Sequence, residues 1–116
     1  LAQRIPPGKY LAWAMRTPQS SAADMRRRVA VLAAAAPSPA AAIVFSCIGR
    51  GPYHYGGEAR DMACLRERFP ALPLIGSYGT GQIAPAAAGA IRLLHNAVVS
   101  ALISHPSRSA DVQPDP

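Results

Sequence analysis

Six consecutive residues, Arg50 to Tyr55, carry an arginine, two tyrosines and a histidine in a segment punctuated by Gly49, Gly51, Pro52, Gly56 and Gly57. A guanidinium can grip a carboxylate through two parallel hydrogen bonds, and a tyrosine offers both an aromatic wall and a hydroxyl. Glycines lack a Cβ, so a backbone carrying them lets a ligand come close. A second glycine-bearing segment, Gly76 to Pro85, adds Tyr78 and Gln82 to the candidates. The chemistry open to this set is recognition of a small polar molecule. Arg50 would bind an anion, Gly49 and Gly51 would leave room, Tyr53, Tyr55 and Tyr78 would form walls, and Gln82 would add a polar contact. Arg50 also admits a structural reading, in which it staples its own loop by pairing with Glu58.

Other chemistries fit these residues poorly. Neither glycine segment carries GxxxxGK[ST] or GxGxxG, and the one lysine, Lys9, sits near the start of the chain, which argues against a phosphate cradle. Cys47 lies inside an apolar run, not at a helix N-terminus that would favour its thiolate, so it reads as packing; an enzyme built on Cys47 is the weaker alternative to a non-catalytic domain. Cys64 falls on the buried side of a helix and reads the same way. His54, His95 and His105 lack the short spacings of a zinc site. Haem held by His54 or His95 as an axial ligand is the competing cofactor reading; otherwise no cofactor is expected.

The elements that must position these groups follow from composition and breaks. Pro6-Pro7-Gly8 forms a turn, and Tyr10 to Met15 has the aromatic and aliphatic content of a short strand. Ser21-Ala22-Ala23-Asp24 has the form of a capping box, which predicts a helix from about Ser21 to Ala36 with Met25, Val29, Leu32 and Ala36 on one stripe. Pro37-Ser38-Pro39 ends it. Ala41 to Ile48 is continuously apolar and suits a central strand covered on both faces. Glu58 to Phe69 is predicted as a second helix, with Ala59, Met62, Ala63, Leu65 and Phe69 inward and Arg60, Asp61, Arg66, Glu67 and Arg68 outward. Leu72 to Gly76 is a short strand limited by its proline, and Gly76 to Pro85 a glycine-rich connection. Ala90 to Ser104 is one long strand or a hairpin bent near His95-Asn96.

The 116 residues suffice for one core, so the fold class is α/β, with α+β as the alternative: a single mixed sheet of about four to five strands with two helices. The expected organisation is a leader over residues 1–8, a domain over 9–104 and a disordered tail over 105–116. Twelve basic residues against six acidic give a formal charge of +6, but only Arg26-Arg27-Arg28 is clustered and no aromatic residues interleave with it. Nucleic acid is therefore not an expected partner. No apolar run reaches the roughly 18 residues that span a bilayer, so no membrane insertion is expected. Two cysteines are too few for a disulfide framework, which agrees with a cytoplasmic setting. The chain begins at Leu1 rather than methionine, as a piece of a longer protein would.

Phe45-Ser46-Cys47-Ile48-Gly49-Arg50-Gly51, then Glu58 opening a helix, Phe69-Pro70, Leu72-Pro73-Leu74-Ile75-Gly76-Ser77-Tyr78-Gly79-Thr80-Gly81-Gln82-Ile83-Ala84-Pro85 and His95-Asn96 together resemble the C-terminal half of FIST sensory domains. Trp13-Ala14-Met15-Arg16 is similar as well. The likeness covers about residues 9 to 104 and rests on several motifs in the same order. It implies a bacterial sensory domain in signal transduction that binds a small ligand such as an amino acid or carboxylate, in a family where some members are described as haem-binding sensors. It further implies two protein partners, the N-terminal FIST half and a downstream signalling module. One position departs from the pattern: Gln82 stands where the family usually has Glu, so an amide replaces a carboxylate and a ligand ammonium would lose its counter-charge.

Overall fold

Thr17-Pro18 opens the first helix one turn earlier than the Ser21 cap expected from the sequence. In the computed structural model, which describes residues 4–86 and 89–105, helix α1 spans Pro18–Ala35. Thr17 is its N-cap: the Thr17 hydroxyl accepts from the Ser20 backbone N–H at 3.1 Å, and the Ser20 hydroxyl accepts from the Thr17 N–H at 3.2 Å. Pro18 at the first helical position already holds the backbone angle the helix needs, which is why this reciprocal cap prevails over the one starting at Ser21.

Strand β1, Ala41–Cys47, follows, and the chain then tightens into two 3-10 turns, Ile48–Arg50 and Pro52–Tyr55. Gly56, with φ of 76°, closes the second turn in the left-handed region that favours glycine. Helix α2, Arg60–Arg68, leads to β2, Leu74–Gly79; β3, Gln82–Pro85, β4, Ile91–Leu94, and β5, Val98–Ile103, complete the order. The α/β class is as expected, but the strands form two sheets. In the first, β1 is central, parallel to β2 and antiparallel to β5; in the second, β3 and β4 pair antiparallel.

Three expectations are corrected here. Residues Tyr10 to Met15 form no strand and pair with none of the strands among the described residues, so Tyr10, Trp13 and Met15 project into solvent without the hydrogen bonds a strand requires. The expected glycine-rich connection from Gly76 to Pro85 is largely two strands, since Gly76 and Gly79 sit within β2 and Gln82 begins β3. The stretch from Ala90 to Ser104 does bend at Asn96, whose φ of 55° is left-handed, but its arms separate instead of pairing as a hairpin. β4 goes to β3 and β5 goes to β1. The expected tail beyond residue 105, and residues 1–3 of the expected leader, lie outside the described residues.

Both helices cover one face of the three-stranded sheet. Met25, Val29 and Ala33 of α1 meet Val44 of β1 and Cys64, Leu65 and Phe69 around α2. Full burial of a Val or Leu side chain contributes about 1.5–3 kcal/mol, so Val44 and Leu65, the largest apolar residues completely enclosed, anchor this core. The opposite face of the sheet stays open along Phe45, Ile75 and Ile103. Thus β1 is covered on one side only among the described residues, not on both. Its continuous apolar run, Ala41 to Ile48, is also not extended throughout, since Ile48 has already turned outward.

Gly76 stands beside Val44 in the parallel register, so close that a Cβ there would overlap the Val44 carbonyl. Backbone atoms in a paired strand cannot move aside as a flexible side chain can. Gly76→Ala is therefore expected to destabilise the chain by about 1–3 kcal/mol, the usual range for overpacking, measured as a lowered urea midpoint with an unchanged slope. Gly57→Ala, where nothing stands within contact distance but φ is 108°, isolates the cost of backbone strain alone.

Candidate functional site

The C-terminal end of β1 turns straight into the 3-10 segment, and this turn sends neighbouring side chains in opposite directions. Arg50 and Tyr55 point inward and are buried. Tyr53 points outward and is fully exposed. Arg50 and Tyr53 belong to different turns separated by the extended Gly51, and Tyr53 and Tyr55 stand two residues apart on a three-residue turn, so one short segment faces both the core and a surface cleft.

The inward group is an ion pair. Arg50 donates from Nε to Asp61 Oδ2 at 3.0 Å and from Nη2 to Asp61 Oδ1 at 2.9 Å, with both side chains less than a tenth exposed. Nη2 also donates to the Ser21 carbonyl at 2.9 Å and to the Tyr55 hydroxyl at 3.3 Å, while the Tyr55 hydroxyl donates to Asp61 Oδ1 at 2.8 Å. The hydrogen bond to Asp61, opposed by burial, raises the Arg50 pKa above its ordinary value. The Tyr55 phenol is pushed up to about 12 by burial and by its bond to Asp61. His54 Nε2 lies 3.1 Å from Ser21 Oγ, and burial, with the charges of Arg16 and Arg50, holds its imidazole below the ordinary histidine range.

Asp61 lies on the opposite side of α2 from the one expected from the sequence. It was expected outward on α2, and Arg50 was expected to find Glu58 if it paired at all; instead Glu58 pairs with Arg60 at 2.8 Å on the surface. Ala59 and Ala63, expected inward, are exposed. The buried face of α2 runs through Asp61, Cys64, Leu65 and Phe69, positions spaced by three and four residues. That spacing was present in the sequence, and extending the stripe back from Cys64 and Leu65 would have placed Asp61 inside. A carboxylate on an otherwise apolar stripe signals a buried cationic partner.

The outward group is a cleft. Ile48, Gly51, Pro52 and Tyr53 from the first glycine-bearing segment meet Tyr78 from β2 around a volume of about 350 Å³. A Cβ on Gly51 would stand 3.1 Å from the Ile48 carbonyl and 3.4 Å from the Tyr78 ring, so the glycine chiefly eases its own turn. Of the seven residues singled out from the sequence, Gly51, Tyr53 and Tyr78 are thus brought together, while Arg50 and Tyr55 lie behind them in the core. Gly49 sits against the Asn96 side chain, and Gln82 lies near Gly79. Gln82 is 3% exposed, and its Oε1 is the one buried side-chain oxygen or nitrogen without a hydrogen-bond partner among the described residues.

The cysteines and remaining histidine are placed as follows. The Cys47 thiol is buried and points to the Thr80 carbonyl at 3.9 Å, and burial raises the Cys64 thiol pKa, which disfavours its thiolate. His95 Nδ1 faces the same Thr80 carbonyl at 3.4 Å from an exposed position. No group of three or more His, Cys, Asp and Glu side chains among the described residues could hold a metal ion.

Removing either member of the buried pair leaves the other charge uncompensated. Arg50→Ala and Asp61→Ala should each cost about 3–5 kcal/mol in urea unfolding, whereas the joint replacement Arg50→Met with Asp61→Leu should recover most of that loss. The raised Tyr55 pKa gives the alkaline limb of stability a definite sign. The folded chain keeps the phenol proton to higher pH than the unfolded chain, so this contribution is intact below about pH 10 and is lost as pH rises towards 12. Tyr55→Phe should flatten the fall of the urea midpoint across that interval.

Comparison with known proteins agrees with the sequence resemblance. An uncharacterized protein of Mycobacterium bovis and one of Mycobacterium tuberculosis are each 32% identical to the chain over 81 residues, which is 69% of the chain and 21% of the relative. The chain therefore spans about a fifth of the length of the curated relatives it matches. The family model of the FIST C domain matches residues 1–85, which takes in α1, the buried pair, both glycine-bearing segments and the first three strands. The chain belongs to the FIST C domain family, a family of sensory domains.

Proposed function

We propose that this chain is the ligand-reading part of a non-catalytic sensory module, and that it binds a small polar molecule such as an amino acid or carboxylate at the strand-end cleft. The observation that carries this reading is the meeting of Gly51 and Tyr53 from one glycine-bearing segment with Tyr78 from the other around one cleft of about 350 Å³. Such a volume suits a small ligand, and the lining is almost wholly apolar, so the ligand's apolar part would lie against the Tyr53 and Tyr78 rings. Tyr53 and Tyr78 take the direct role. Arg50 and Tyr55 hold the loop from behind through Asp61, and Gly49 keeps room for Asn96. Gln82, 3% exposed, is not among the residues that line this cleft.

In this reading the domain acts within the cytoplasm beside an N-terminal FIST half and passes occupancy of the cleft to a downstream signalling module. The carry-over would run through the 3-10 turns, because they connect the cleft residues directly to the ion pair that fixes α1 and α2. Isothermal titration with a panel of amino acids and small carboxylates tests the proposal. Binding of one class, weakened about tenfold, or 1.4 kcal/mol, by Tyr53→Ala or Tyr78→Ala, is the expected result. Absence of heat with every compound, or equal affinity in both variants, overturns it.

A further inference from the structure

A second and larger cleft lies on the other side of Arg50. It runs between α1 and the β4–β5 bend, encloses about 500 Å³, and is mostly apolar, with Met25, Val29, Leu32, Leu94 and Val98 among its walls. Arg50 and Arg28 border it, with Asp24 as the carboxylate. Asp24 is engaged by Arg27 at 2.9 Å and by Arg28 at 3.8 Å, so Arg28 is held the more loosely of the two.

The hydrogen bonds of Arg50 use Nε and Nη2 only; Nη1, with two N–H groups, has no acceptor among the described residues. The bonds to Asp61, Ser21 and Tyr55 fix the plane of the guanidinium, so any donor left over is already oriented and loses little freedom on binding. An apolar cavity bordered by a fixed cationic group with N–H donors to spare is complementary to a molecule with an apolar body and one anionic head.

We propose that the cleft between α1 and the β4–β5 bend binds an apolar monocarboxylate, with the head at Arg50 Nη1 and Arg28 and the body along Val29, Leu32 and Val98. A dicarboxylate would set its second charge against apolar walls and near Asp24, which costs more than any contact there returns. The site is distinct from the tyrosine-lined cleft, and it rests on the sensory reading only in that its ligand would be a second input. Because Arg50 is shared through its bonds to Tyr55, occupancy here bears on the same loop that shapes the first cleft.

Titration of the full 116-residue chain followed by amide chemical shifts tests this, with sodium octanoate, 1-octanol and octylamine as probes of equal chain length and different head. Octanoate should perturb resonances of Val29 and Val98 and bind at least about tenfold more tightly than octanol. Ser100→Trp, which fills the cleft, should abolish the perturbation in a chain that keeps its dispersed spectrum, and Arg28→Gln, on the exposed rim, should weaken binding about two- to fivefold. Tyr53→Ala should leave octanoate binding intact. Octanol or octylamine binding as tightly as octanoate, or octanoate binding that survives Ser100→Trp, overturns the proposal. Loss of octanoate binding in Tyr53→Ala but not in Ser100→Trp would also overturn it and place the acid in the tyrosine cleft. Failure of amino acids to bind there, with octanoate retained here, would count against the first cleft alone.

Discussion

The ion pair between Arg50 and Asp61 is the constraint to which the rest of the molecule conforms. Two charges withdrawn from water are a net cost unless geometry and additional hydrogen bonds compensate. Here the pairing is bidentate, the Tyr55 hydroxyl supports Asp61, and the Ser21 carbonyl takes a further guanidinium proton. Satisfying one arginine thus fixes three parts of the chain: the first turn of α1, the loop after β1 and the first turn of α2. An acidic residue in that first turn also suits the positive end of the helix, which has no side-chain cap of its own.

The shape of the candidate ligand cleft follows from that constraint. With Arg50 and Tyr55 drawn inward, the intervening Tyr53 is left outside, and Gly51 comes against the Tyr78 ring, where a Cβ would crowd the Ile48 carbonyl. The tyrosine cleft and the apolar cleft are therefore two faces of one loop. Specific buried polar contacts define such a loop more narrowly than apolar packing could, because a guanidinium fork accepts few orientations.

The three-stranded sheet shows a complementary asymmetry. Its helical face holds the whole described core, whereas its other face presents Phe45, Ile75 and Ile103, and the arm from Tyr10 to Met15 presents Tyr10, Trp13 and Met15. Large apolar groups displayed in this way are characteristic of surfaces that meet other protein segments. The β1 sequence is apolar but for Ser46 for the same reason: both of its faces are of a kind that packs, though only one is packed among the described residues.

Much of the local structure was legible in the residues themselves. Prolines and glycines marked where α1, β1 and α2 had to stop, and helical spacing found Met25 and Val29, because these signals depend on near neighbours in the chain. The position of Gly51, Tyr53 and Tyr78 as a group was indicated by composition, yet their convergence required the parallel pairing of β1 with β2. The partner of Arg50 was a different matter. A guanidinium eleven residues from a carboxylate can meet it only if α2 is rotated to bring Asp61 inward, and that rotation is set by burial of Cys64, Leu65 and Phe69 against α1 and β1. The divergence of β4 and β5 into separate sheets likewise depends on which edges stand nearby. The sequence by itself determined α1, β1 and α2 and the prolines and glycines that end them, since each is a local property of the backbone and its side chains. Tertiary structure alone decided which of the candidate residues face the cleft and which are spent on the core, because that choice depends on long-range burial.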